Sequence, residues 1–408
     1  VPFLPNDRTV LRELAQQVAE AAARPIMAER RELWLKHNRL KRVRPIVLVF
    51  PEGSWRELLP KSTLLCEEED AREIEWQLRL RLYYRDRLPD DSIIEREWKV
   101  PKAIADTGWG LEPRQIPSPV EVGAWAFDPV IETGADLKKL RFPEVIYDDA
   151  ETNRRYAEAQ ELFGDILDVQ LKGIAQVAFH MMTLYARRRG LERAMLDMCE
   201  EPQMIHDAMA FFEEGYRRLM KQYQEMNLFS LNNNGTYHSS GGFGYTTELP
   251  AAGGYPNWVL PGDMWASAES QEMAQVGPEM HEEFALQYEK RLLAPFGLTG
   301  YGCCEDLTDK LDLVLQVPNI RRISISPFAD VERCAERLGD KAIFSWKPHP
   351  SHLVGEFDAA RIREYIRHTV EVTRGCVLEM ILKDTHTCEG HPERFTQWIR
   401  IAREAVEG

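Results

Sequence analysis

Apolar and polar positions change rhythm along this chain. Leu11, Leu14, Val18 and Ala22 recur at helical spacing among charges, predicting one or two amphipathic helices over 8–40, with Pro25 a kink or restart. Ile46-Val47-Leu48-Val49-Phe50 is uniformly apolar and rich in β-branched residues, the pattern of a strand covered on both faces. It stops at Pro51-Glu52-Gly53, and helical spacing returns over 66–87. Pro101, Pro113, Pro117, Pro119 and Pro129, with Trp98, Trp109 and Trp125, crowd residues 98–145, predicting one strand near Trp98–Ile104 and then a long, irregular or two-stranded excursion. A charged helix over 148–164 and a strand at Ile166–Val169 follow.

Beyond residue 173 the rhythm is regular. A helix runs from Glu201-Pro202 to about Met226, with Ile205, Met209, Phe212, Tyr216 and Leu219 on one face. Strands are predicted at Leu228–Asn232, Met264–Ser267, Leu298–Cys303, Ile320–Ser326, Ala342–Lys347 and Cys376–Lys383, separated by helices such as 278–293, 330–338 and 358–374. Such alternation predicts right-handed βαβ units on a parallel sheet. Eight or nine strands favour an α/β fold closed as a (β/α)8 TIM barrel over 45–408, with an N-terminal helical extension at 1–44 and long loops over the mouth. No second core is evident, so one domain is expected.

The 408 residues fall within the size range of such barrels. With 51 Lys and Arg against 66 Asp and Glu, the net charge of -15 repels nucleic-acid phosphate. No apolar run is long enough for a membrane span. Seven scattered cysteines do not make a disulfide scaffold, and Val1-Pro2-Phe3-Leu4-Pro5 carries no targeting pattern, so a reducing, cytoplasmic setting is expected.

Candidate chemistry gathers at the ends of the later strands, where barrels carry their active sites. Asn232-Asn233-Asn234-Gly235-Thr236-Tyr237-His238 runs into Ser239-Ser240-Gly241-Gly242-Phe243-Gly244. This stretch reads either as a surface turn or as a substrate loop, with Asn232, Asn234, Tyr237 and His238 contacting substrate and the glycines giving the backbone close approach. It matches neither a Walker nor a dinucleotide motif. Trp265 is a ligand wall or a packed aromatic. Gly302-Cys303-Cys304-Glu305-Asp306 offers metal ligands or acid–base groups, or else acids that cap the next helix. Lys347 and Asp384 add a cation and an acid, and Lys383-Asp384-Thr385-His386-Thr387-Cys388 sets an imidazole and a thiol two residues apart. Cys303 and Cys388, with one of Glu305, His386 or Cys304, would make an open zinc site.

The chain resembles the uroporphyrinogen decarboxylase superfamily, and more closely its corrinoid-dependent methyltransferase branch. The resemblance is carried by Glu201-Pro202-Gln203-Met204-Ile205-His206, by Tyr301-Gly302-Cys303, by Ile323-Ser324-Ile325-Ser326-Pro327 and by Cys388 before a last helix, over roughly 165–405. It implies zinc on a His-x-Cys pair and a distant Cys, a corrinoid (cobalamin) carried by a separate protein, and a homodimer. Cys303 and Cys388 match the two thiols, whereas Tyr301 stands where the histidine belongs, so Glu305 or His386 replaces it or the site holds no zinc. The arginine-rich segment of the decarboxylase itself is represented only by Arg56, which argues against haem synthesis.

Three functions are consistent with these residues. One is methyl transfer between a small methoxylated or methylamine-type substrate and a corrinoid, with zinc or Glu305 at the leaving atom and Tyr301 near the substrate. The second is a metal-independent decarboxylase or lyase using Asp306 or Asp384 against Lys347. The third is a non-catalytic binding barrel.

Overall fold

The computed structural model describes residues 3–118, 126–238, 241–251 and 257–407. Pro119, Trp125, Ser239 and Ser240 of the segments discussed above lie outside them.

The predicted N-terminal helices form as Pro5–Ala22 and Pro25–Asn38, so Pro25 is a restart at a helix's first position. Nine strands matter for the site: β1 Ile46–Val49, β2 Glu97–Pro101, β3 Asp168–Lys172, β4 Ala178–Phe179, β5 Trp265–Ala268, β6 Leu298–Tyr301, β7 Ile320–Ile325, β8 Ile343–Trp346 and β9 Val377–Leu382. Among the described residues, seven of them form one parallel sheet in the order β1-β9-β8-β7-β6-β5-β4, while β2 pairs with β3. Every residue of β1, β5, β6, β8 and β9 is buried, including Ser267, Thr299, Ser345 and Glu379, because both faces of a parallel sheet are covered.

Short contacts connect the edges of these sheets. Asp91 donates its N–H to the Val47 carbonyl at 2.9 Å, Ile174 donates to Leu228 at 2.8 Å, and Ser230 donates back to Ile174 at 2.9 Å. The predicted strand Leu228–Asn232 is reduced to one parallel bridge, Ile174 with Phe229. Asn232 spans the remaining gap: its amide donates to Ala175 and Trp265 carbonyls at 2.8 and 2.9 Å and accepts from Trp265 N–H at 2.9 Å.

The proline-rich excursion contains two antiparallel pairs, Ala103–Asp106 with Val145–Asp148 and Gln115–Ile116 with Ala126–Phe127. Its Trp109 packs edge-on against Phe212 and Tyr216 of the helix Pro202–Glu225.

Among the described residues, buried apolar side chains form a large cluster around the parallel sheet, a second sizeable one and two small ones. The second joins Leu11, Leu14 and Val18 to Leu78, Leu82, Trp98, Phe163 and Val169. The N-terminal helices are thus integral to the packing. The helix Pro25–Asn38 also supplies Trp34, His37 and Asn38, all buried, to the interior of the sheet. Among the described residues, no helix is long and apolar enough to cross a membrane.

Candidate active site

Polar side chains take the first position beyond several strands: His180 after β4, Glu269 after β5, Lys347 after β8 and Lys383 after β9. Three of these side chains, His180, Glu269 and Lys383, meet at a common rim, while Lys347 stays buried. A pocket of about 270 Å³ opens there, lined by Gln176, His180, Tyr237, His238, Glu269, Cys303 and Lys383 among others. Its volume is near the lower end of small-molecule sites, roughly 300 Å³ and up.

His180 Nδ1 lies 2.7 Å from Glu269 Oε1. Burial works against charge on this imidazole, but the Glu269 hydrogen bond and the attractions of Glu269, Glu289 and Cys303 outweigh it and raise its pKa. The carboxylate fixes ring and tautomer together, leaving Nε2 as the nitrogen not engaged by Glu269. Lys383 behaves similarly: burial lowers its pKa, and Cys303, Asp384, Cys304 and Glu52 more than reverse this.

Behind this pair lies a buried group of acids. Glu289 accepts from Ser270 Oγ at 2.8 Å and from the Tyr301 hydroxyl at 2.7 Å, and His281 Nε2 is 2.9 Å from that hydroxyl. The predicted helix 278–293 is interrupted by a π turn, Glu282–Leu286, between His281 and Glu289, so both meet Tyr301. Glu305 accepts from Ser270 N–H at 3.3 Å and Cys303 N–H at 2.8 Å. Burial drives Glu289 up to about 8 and Glu305 to about 7, and mutual repulsion with Glu269 adds to both.

Only part of the expected site is assembled. Tyr237 and His238 line the pocket. The Tyr237 ring packs edge-on to Phe50 at 4.8 Å, and its buried hydroxyl finds no hydrogen-bond partner among the described residues. His238 stacks on Trp265 at 5.3 Å with Nε2 3.1 Å from the Asn232 carbonyl. Burial holds His238 neutral, its pKa lowered to about 3.

Several expected substrate contacts turn inward instead. Asn232 joins strands, as above. Asn234 Oδ1 accepts from Thr236 N–H and hydroxyl within its own loop. Trp265 is fully buried, its indole donating to the Gly244 carbonyl at 3.0 Å, and Tyr301 is buried among the acids. The loop glycines serve close packing. A Cβ on Gly244 would lie 2.3 Å from the Asn232 carbonyl oxygen, and one on Gly242 2.7 Å from Glu379 Oε2.

Expected catalytic groups are similarly divided. Asp306 caps its own turn, accepting from Thr308 N–H and hydroxyl at 2.9 and 2.6 Å. Lys347 is buried and donates to the Ser345 carbonyl and hydroxyl at 2.9 and 2.8 Å. Asp384, in the left-handed region at φ 58°, lies 3.5 Å from Lys383 Nζ and 3.9 Å from Cys304 Sγ.

The donors expected for zinc are not brought together. Cys388 is buried with its thiol 3.2 Å from Glu57, which also accepts its N–H. His386 is exposed, and its backbone and ring press against Gly53. Glu305 is spent on two backbone N–H groups. No group of three or more His, Cys, Asp or Glu able to hold a metal occurs among the described residues. The three protein donors that an open zinc site needs are therefore not assembled among the described residues.

His180, Glu269 and Glu289 escaped the reading of the sequence. A polar residue directly after an apolar strand was the available signal for the first two, the same signal that marks Lys347. Glu289 sits inside a helix, where its charge looks like any solvated face.

No family model matches the chain, and no curated protein matches it in sequence. Among solved structures it is similar to a methyltransferase from Methanosarcina mazei, with 10% identity, 92% of this chain and 98% of that chain covered, and a TM-score of 0.49.

Proposed function

We propose that the chain is an enzyme of small-molecule methyl transfer, with His180 as the acid at the leaving heteroatom. The observation that carries this reading is the 2.7 Å His180–Glu269 pair facing a pocket of about 270 Å³ at the strand ends. The parallel sheet is proposed to close as a barrel, supported by the contacts from Val47 through Asp91 and from Ile174 through Ser230 and Asn232 to Trp265.

As the bond between methyl carbon and heteroatom breaks, the electron pair stays on the heteroatom, which takes the proton from His180. Glu269 holds the ring in place and stabilises its positive charge before transfer. Lys383 stabilises a developing alkoxide or phenolate. The small pocket suits a methoxylated or methylated amine substrate. The sequence resemblance around Tyr301-Gly302-Cys303 supports methyl transfer and a corrinoid on a separate protein as the methyl carrier. Because the zinc donors do not assemble, the proton step rests on side chains alone.

The positive charge of Lys383 favours a second reading in which a carboxylate substrate loses CO2. An open polar pocket speaks against a purely scaffolding barrel.

The test is a panel of methoxylated phenols and methylamines with a reduced corrinoid as acceptor, following demethylated product and released CO2. His180→Gln is expected to slow demethylation by roughly 10²- to 10⁴-fold. Undiminished turnover by this variant would reject the acid role, and CO2 without demethylation would favour the lyase.

A further inference from the structure

Cys303 and Cys304 have their sulfurs 3.5 Å apart. Neighbouring residues in a strand send side chains to opposite faces, so this convergence needs a bend. One is present: β6 ends at Tyr301, Gly302 turns the chain at φ 93°, and 303–305 continue as a bend. A side chain at 302 would also meet Leu307 at 2.7 Å. The bend is pinned on both sides of Cys303, whose N–H donates to Glu305 at 2.8 Å and whose carbonyl accepts from Ser324 Oγ at 2.8 Å.

The thiols are also accessible and chemically matched. Both are half-buried, whereas Cys66, Cys334, Cys376 and Cys388 are buried and Cys199 stands exposed and far along the chain. Cys303 lines the pocket, and Asp384 Oδ2 lies 3.9 Å from Cys304 Sγ. The hydrogen bond to Cys303 is the main reason that Cys304 keeps its proton, its pKa pushed strongly upward. The sulfurs are well beyond the ~2.05 Å of a disulfide. They are close enough to share one soft atom, since two bonds of ~2.3 Å from a common centre span this gap when bent.

We propose that Cys303 and Cys304 form a vicinal dithiol site that clamps a thiophilic, trivalent arsenic ligand at the pocket rim. With phenylarsine oxide two As–S bonds form, the As=O bond breaks, and the two thiol protons leave with that oxygen as water. No oxidant is needed. The site requires neither the His180 acid nor methyl transfer, so its failure would leave that reading untouched.

The reduced full chain is mixed with one equivalent of phenylarsine oxide and passed through gel filtration in excess 2-mercaptoethanol. One arsenical is expected to stay bound per chain, with two fewer titratable thiols, and 2,3-dimercaptopropanol should remove it. Cys303→Ser and Cys304→Ser should each release the arsenical at least tenfold faster, and Cys199→Ser should not. Peptide mapping of the wild-type adduct is a second readout, independent of whether the variants fold, and should place the arsenic across 303 and 304. Release from wild type as fast as from Cys303→Ser, or an adduct mapped to another cysteine, would overturn the proposal.

Discussion

Two buried charge networks sit in this sheet, and burial treats them in opposite ways. Toward the start of β7 and β9, Glu379 is surrounded by Arg322 Nε at 3.0 Å, His37 Nε2 at 3.0 Å and Ser345 Oγ at 2.5 Å, with Lys347 beyond. Past the ends of β5 and β6, Glu269, Glu289 and Glu305 gather around Ser270 and Tyr301, with buried Lys310 as a nearby cation. The first network has surplus positive charge. Burial alone would push Glu379 up, but Arg322, His37 and Lys347 hold its carboxyl well below the usual range, while burial lowers His37 and takes Lys347 down to about 7. The second has surplus negative charge, and its acids are driven upward. In each case the interior sheds the charge in excess, because an unpaired buried charge is costlier than a neutral group. The pair His180–Glu269 lies at the solvent edge of the acid network. The Glu379 network instead locks the helix Pro25–Asn38 to the sheet.

The comparison breaks most easily at Arg322. Arg322→Met leaves Glu379 buried without its main partner and is expected to cost ~3–5 kcal/mol in denaturant unfolding; a loss near zero would show that Glu379 is not held by this pairing. Tyr301→Phe removes the hydroxyl between Glu289 and His281 and should cost ~1–3 kcal/mol, read as a lower unfolding midpoint.

Dependence on pH sharpens the contrast. Glu289 and Glu305 have folded pKa values above their unfolded ones, so the native state holds extra protons between about pH 4.3 and their folded values near 8 and 7. Their contribution is fully present at low pH and is lost as pH rises through that window. The Glu289→Gln, Glu305→Gln double variant should flatten this slope, by about 1 kcal/mol or more between pH 6 and 8. Unchanged slope would mean that these carboxyls ionise normally.

Lys347 should act with the opposite sign. Its folded pKa of about 7 lies below the unfolded value, so the unfolded chain binds more protons between about pH 7 and 10.4 and stability rises with pH there. Lys347→Met should remove that rise, which for a single proton is about 1.4 kcal/mol per pH unit at most. Equal slopes in the two proteins would remove the claim of a neutral amine.

The chain's own pattern marked most of the strands and helices, although Leu228–Asn232 keeps only one bridge and 278–293 is broken by a π turn. Ile46–Val49 and Val377–Leu382 lie within one residue of their predicted bounds, the first an unbroken apolar run and the second apolar except for Glu379, as strands covered on both faces require. Asp330 and Asp358 cap the helices predicted to start at them, a local interaction that sequence order alone brings about. That Tyr237, His238, Cys303 and Lys383 belong to stretches rich in polar residues was also legible, and these four line one pocket. Tertiary structure decided the partners. Glu269 meets His180 from 89 positions away, and Glu57 takes Cys388 from 331 positions away, withdrawing it from Cys303. Periodicity reports which face of an element is buried. It carries no record of which buried groups meet across the sheet, because that depends on strand order, on loop paths and on how surplus charge is neutralised among residues distant in the chain.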